Sequence, residues 1–226
     1  MKIVNIGKVL FGCLFLFGLC QATLCQGKEV SYSDVIKLEQ SAVTLLKAVP
    51  YRSTMTNWVF PERGKEPSWK SILIRETVRP DLWREVQENF SPASVRRTEV
   101  VFVGGNFYQK LNDGPWQLRQ LPPPPVALPT TAGITASRPR FEVSARLIET
   151  LNDKNGMISV YETKSKSTKE EGGKEISQIA TSRVWFRLDG LLVKKDFELE
   201  TVGESRILKN STVYEYEDIK IEAPIP

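Results

Sequence analysis

Few residues in this chain could do covalent chemistry, and their types narrow it sharply. There is no histidine among the 226 residues. That removes Ser-His-Asp and Cys-His nucleophilic arrangements and every histidine-held metal site. The three cysteines, Cys13, Cys20 and Cys25, all lie near the N-terminus, so the rest of the chain has no disulfide framework and must be stabilised by its core. Carboxylate hydrolysis needs two acids converging on one cleft, whereas the acids here are spread over polar strand faces and loops. No Gly-rich phosphate loop and no calcium-loop pattern appears, and no cofactor is expected. The pairs Gly104-Gly105 and Gly172-Gly173 sit where hairpin turns are wanted and read as turns. What these residue types leave is binding rather than catalysis.

The elements that must position a binding surface are mostly strands. Thr181 to Thr201, TSRVWFRLDGLLVKKDFELET, reads as two strands about Asp189-Gly190, a pair that favours a two-residue type I′ turn. Val184, Phe186 and Leu188 share one face; Leu191, Val193, Phe197 and Leu199 share another, opposite Lys194, Asp196 and Glu198. Such alternation predicts a half-buried antiparallel sheet. Ser33 to Ala48 predicts a helix, with Ser33 as cap, Val35, Leu38, Ala42, Leu45 and Leu46 on one stripe, and Pro50 as stop. Strands are expected over Tyr51–Phe60, Ser68–Val78, Thr98–Val103, Asn106–Leu111 and Trp116–Leu118. Leu82 to Phe90 reads as a strand, with a helix over Pro80 to Asn89 as the alternative. After a proline-rich stretch, Gln120 to Pro139, strands resume over Arg140–Leu151, Met157–Lys164, Glu175–Leu188, Leu191–Val202, Ser205–Leu208 and Ser211–Ile221. Lys164 to Lys174 reads as a solvated polar hairpin tip. Four consecutive prolines, Pro122 to Pro125, cannot lie inside a sheet or helix.

The expected architecture is α+β: one curved antiparallel half-barrel sheet of about ten or eleven strands, packed with an N-terminal helix and a long Pro-rich loop. A closed up-and-down barrel is the alternative. Residues 1–25 read as a secretory signal, with Lys2 and Lys8 before the apolar run Val9 to Leu19 and cleavage after Ala22 or Cys25. The run is too short to span a bilayer, which takes about 20 apolar residues, so no stable membrane span is expected after its removal. A lipid anchor is disfavoured: Leu10-Phe11-Gly12-Cys13 is a loose match that lies too early, and Cys20 and Cys25 have poor preceding residues. Residues 26–226 then form a single domain. Losing Lys2 and Lys8 lowers the net charge from +4 to +2, too mild to imply nucleic acid.

Helix, then Tyr51-Arg52 opening a strand, then EVVFVGGNFYQKLNDGPW at Glu99 to Trp116, resembles the outer-membrane lipoprotein carrier superfamily. Arg183 to Thr201 resembles its strand, Asp-Gly, strand pair, and Ser211 to Pro224 resembles the closing strand of its lipid-binding branch. The Pro122 to Pro125 run departs from that pattern, since it cannot supply helical cover. The resemblance implies a periplasmic half-barrel that holds a lipid or lipoprotein acyl chain without catalysis. The alternative is a sensory or structural envelope module on the same fold, with protein partners. A carrier needs an apolar lining, for which the inward-facing set is Met55, Ile72, Ile74, Val86, Phe102, Phe141, Val143, Leu147, Tyr161, Phe186, Val193, Phe197 and Leu199. Any one of these would serve equally as ordinary core; the set binds cargo only if it lines a void. Arg52 is the rim candidate, for a lid carbonyl or a lipid phosphate, with a plain surface arginine as the alternative. Trp58, Trp69, Trp83, Trp116 and Trp185 mostly fall opposite the lining set, either packing there or docking a partner.

Overall fold

Alternating residues and short turns build a continuous meander. The computed structural model describes residues 27–91, 93–119, 140–153, 156–171 and 174–224. The expected signal segment, the Gln120–Pro139 stretch and the Gly172-Gly173 turn lie outside the described residues. In chain order the elements are β1 (Lys28–Glu29), α1 (Tyr32–Leu46), β2 (Tyr51–Phe60), β3 (Trp69–Arg79), β4 (Leu82–Ser91), β5 (Ser94–Val103), β6 (Asn106–Leu111) and β7 (Gln117–Arg119). Then follow β8 (Arg140–Asp153), β9 (Gly156–Glu171), β10 (Lys174–Arg187), β11 (Leu192–Thr201) and β12 (Ile207–Glu215).

All twelve strands belong to one antiparallel sheet in the order β1-β8-β9-β10-β11-β12-β2-β3-β4-β5-β6-β7. The sheet is therefore an open α+β half-barrel rather than a closed barrel. It consists of two meanders, β2 to β7 and β8 to β12, joined where β12 pairs with β2. α1 carries the chain from the β1 edge to the middle of the sheet. Its Ala42 and Leu46 pack with Val184, Phe186 and Leu192, and Tyr51, Tyr161, Tyr214 and Tyr216 close around them. This core occupies one face of the sheet, called here the helix side. On the other face the C-terminal residues Lys220 to Pro224 lie near Arg84, Glu99, Val101 and Trp116.

Several local expectations change. Leu82–Ser91 is a strand, paired along its length with β3 and β5, because both neighbours supply a ladder for its backbone groups. Lys164 to Lys174 is not a loose tip: β9 runs to Glu171, and β10 begins at Lys174. There Thr and Ser alternate with Lys and sustain the strand. The helix cap is Ser31, not Ser33, and Ser31 Oγ bonds Ser33 Oγ at 2.8 Å instead of a helical amide. Leu38 and Leu45 sit on the margin of the helix stripe and are exposed, whereas Val35, Ala42 and Leu46 are buried.

The Asp189-Gly190 turn also differs. Only Gly190 has positive φ, at 85°, so a two-residue type I′ turn is ruled out. The loop is Leu188-Asp189-Gly190, closed by Gly190 N–H to Arg187 O and Arg187 N–H to Leu191 O, both at 2.9 Å. That is the three-residue hairpin with a left-handed glycine. Asp189 holds it by accepting from Arg187 at 2.5 Å and from the Leu191 amide at 3.2 Å. A type I′ turn does occur at Gly104-Gly105, where φ is 57° and 80°.

Candidate functional site

Residues directly opposite in an antiparallel pair lie on the same face, so the register carries each face across the whole sheet. Among the described side chains of β2 to β6 and β9 to β12, the helix side carries as charges only Arg75, Glu85, Arg96, Lys169 and Lys195. Lys195 pairs with Glu39 of α1. In those strands the remaining charges fall on the opposite face; at the two sheet edges Lys28 pairs with Leu147 and Arg119 with Phe107, which puts both on the helix side. Charge, more than hydrophobicity, separates the two.

The charged face is a lattice of ion pairs. Arg52 donates to Glu76 Oε1 through Nε at 3.0 Å and Nη2 at 2.7 Å. Arg84 bridges on to Glu99 at 2.6 Å, and Arg97 holds Glu88 at 3.0 Å. The Glu76 hydrogen bond raises the Arg52 guanidinium above its ordinary value, against the opposing effect of burial. The deepest member is Glu162, 2% exposed, which accepts from Arg146 Nη2 at 2.6 Å and Arg183 Nε at 2.8 Å, with Lys164 at 3.7 Å. Burial alone would push its carboxyl up. The two arginine hydrogen bonds, with the charges of Arg146 and Lys164, outweigh burial and hold it below the usual carboxylate range. A recess of about 630 Å³ on this face is lined largely by such charged residues, among them Arg63, Asp196, Glu198 and Lys209. It suits water and ions better than hydrocarbon.

The helix side is different chemistry. One transverse row runs Val143–Ser165–Ala180–Leu199–Leu208–Val59–Trp69. The next runs Ala145–Thr163–Ser182–Phe197–Asn210–Asn57–Ser71, in which Asn210 donates to Asn57 at 2.5 Å and Asn57 to Ser71 at 3.1 Å. A third contains Leu147, Tyr161, Val184, Lys195, Thr212, Met55 and Leu73. At the far end Trp83 stacks on Phe102 at 5.8 Å and meets Phe107 edge-on at 6.3 Å. Apolar rows thus alternate with a row of neutral amides and hydroxyls. A recess of about 630 Å³ opens beside Val59 and Trp69.

The structure divides the expected lining set. Met55, Phe102, Leu147, Phe197 and Leu199 share the helix side, half-buried, though Leu147 on β8 and Phe102 on β5 stand at widely separated strands of the sheet. Phe141 and Val143 share that side but are 65% and 51% exposed. Tyr161 and Phe186 are in the packed core beneath α1. Ile72, Ile74 and Val86 lie on the charged face instead, beside Glu88, Glu76 and Glu99. β3 has apolar residues on both faces, and the other face carries Trp69 and Leu73. Val193 belongs to neither row: the ladder shifts between Trp185 and Phe186, so that Phe186 faces Leu192 and Val193 is skipped. Arg52 sits in the ion-pair lattice. Of the tryptophans, Trp69 and Trp83 lie on the helix side; Trp58 and Trp185 lie on the charged face, where Lys194 sits over the Trp185 ring at 4.7 Å.

No family model matches this sequence, and no curated protein matches it. Among solved structures, a domain from Vibrio parahaemolyticus, described as an outer membrane lipoprotein-sorting protein, is 10% identical. That match covers 83% of this chain and 94% of the other, with a TM-score of 0.30. A LolA superfamily protein from Nitrosomonas europaea is 7% identical over 82% of this chain and 94% of its own, with a TM-score of 0.31. At these values neither likeness bears on function.

The residues that sequence reasoning misses are Asn57, Ser71 and Asn210, the neutral hydrogen-bonded row, and Arg75 and Phe107 beyond it, while Trp83, expected opposite the lining set, lies on the helix side. Their one signal is period-two spacing. Asn57 stands two residues from Met55, and Arg75 two from Leu73.

Proposed function

We propose that this chain is a non-catalytic binding protein of the cell envelope that holds an acyl chain of a lipid or lipoprotein against the helix side of its sheet. The observation that carries this reading is the segregation of charge: one face is an ion-pair lattice, the other carries fewer, mostly unclustered charges and bears aromatic and aliphatic rows. An acyl chain gains about 0.8 kcal/mol per buried CH₂, so a sixteen-carbon chain offers roughly 12 kcal/mol gross. Rows of Asn, Ser and Thr between the apolar rows lower what the face can return, which favours release as well as capture. A periplasmic location fits this role and the expected signal segment.

The full chain, expressed with its own N-terminal segment in a Gram-negative host and purified without detergent, should carry a stoichiometric lipid in native mass spectrometry, recoverable by organic extraction. Phe197→Asp and Leu199→Asp, folded by circular dichroism, should lose it. Retained lipid in both folded variants would remove the helix side as the site.

A second reading has its own support. α1 already fills the β9 to β11 part of this face with Ala42 and Leu46, as a self-filled sensory or structural module with protein partners would require. A clean, unliganded mass together with a co-purifying envelope protein favours that module.

A further inference from the structure

Arg75 differs from the arginines of the charged-face lattice. On the charged face Arg52, Arg84, Arg97, Arg146 and Arg183 each hold a carboxylate at 2.6–3.0 Å. Arg75 stands on the helix side, opposite Ser53 and Glu85, and its one ion pair is a 3.9 Å approach of Nη1 to Glu85 Oε2. Among the described residues its guanidinium donates no hydrogen bond, and its Nε is buried without a partner. Instead the guanidinium lies over the Trp83 ring, 4.9 Å from the centroid. Stacking fixes the plane of the group, while the side chain as a whole stays 43% exposed. One residue pair away, Thr77 is 8% exposed, and its Oγ1 also lacks a partner. The stack continues from Trp83 to Phe102 and Phe107.

A half-exposed, oriented arginine with unused N–H donors, at one end of an aromatic strip, is complementary to an oxyanion joined to a hydrocarbon chain. We infer that Arg75 and the Trp83–Phe102–Phe107 strip form a subsite for a single-chain anionic lipid, with the head group on the Arg75 fork and the chain along the rings. This rests on the lipid-binding reading above and adds a head-group preference to it. Glu85 is too far from the guanidinium to satisfy it. The Lys195 cation on the same face is already paired with Glu39.

Equilibrium dialysis of the purified chain against oleate, oleyl alcohol and inorganic phosphate tests this, using wild type, Arg75→Gln and Arg75→Lys, with near-ultraviolet circular dichroism to confirm folding. Wild type should bind oleate about tenfold more tightly than oleyl alcohol, the factor expected of one charge-assisted hydrogen-bonded pair. Arg75→Gln should erase that preference, and Arg75→Lys should restore part of it. Equal binding of oleate and oleyl alcohol by wild type, or a preference that survives Arg75→Gln, overturns the subsite but leaves acyl binding standing. Phosphate binding as tight as oleate also overturns it, because the chain would then contribute nothing. Binding of neither lipid by wild type sinks the subsite and the carrier reading together.

Discussion

Glu162 shows how single residues keep the two faces apart. Its carboxyl is buried, yet Arg146 and Arg183 keep it ionised below its ordinary value of 4.5. The unfolded chain therefore binds this proton more tightly than the folded one. The stabilisation is fully present above about pH 4.5 and is lost as pH falls through the folded value. Glu162→Gln should destabilise the protein at pH 7 by about 1–3 kcal/mol and should flatten the fall in stability between about pH 5 and pH 3. Urea unfolding across that range checks it; an unchanged acid slope would show that Glu162 is not the group titrating. Residue types alone pointed toward binding, and the structure places Glu76, Glu88, Glu99 and Glu162 in ion pairs with arginines. Residue types did not give side. Ile72 and Ile74 are apolar and alternate, but so are Trp69 and Leu73 one register step away, and only the pairing with Arg84 and Glu88 on β4 reveals which face collects charge.

At the scale of elements, the hairpins were legible because period two and Gly-containing turns are local signals. Their irregularities were not. The shift at Trp185/Phe186 moves Val193 out of its row and brings Leu192, not Leu191, into the core. A bulge leaves no mark in a run as uniformly apolar as Leu191-Leu192-Val193. The three-residue turn next to it docks on the helix. Gly190 has φ of 85°, and a Cβ there would stand 3.2 Å from Leu45 Cδ1. By contrast, a Cβ at Gly105, with φ of 80°, would meet open space. Gly105→Ala should therefore cost about 1 kcal/mol of backbone strain, and Gly190→Ala should cost more. Leu45→Ala should recover the excess in a double-mutant cycle. Equal costs at both glycines, read from urea midpoints, would mean that α1 does not bear on this turn.

For the whole molecule, the order of the strands matters more than their number. The join of β12 to β2 merges two meanders into one surface, so residues more than a hundred positions apart, such as Asn57 and Asn210, become hydrogen-bonded neighbours. No local pattern announces such a pairing, which is why the class of fold was readable and the composition of its neutral face was not. Under the proposed reading, that face, poorer in charge and partly covered by α1, is where an acyl chain would find low-cost contact; the opposite face would have to break paired charges to admit one.

The most direct test is to load the purified chain with a fatty acid bearing a photoreactive diazirine near its methyl end, irradiate, and map the labelled residues by peptide mass spectrometry. Labels should concentrate on helix-side positions of β2 to β5 and β11, such as Met55, Leu73, Phe102, Phe197 and Leu199. Labels on Ile72, Ile74 and Val86, on the charged face, or no specific labelling at saturating probe, would contradict the assignment of the helix side as the lipid-binding surface.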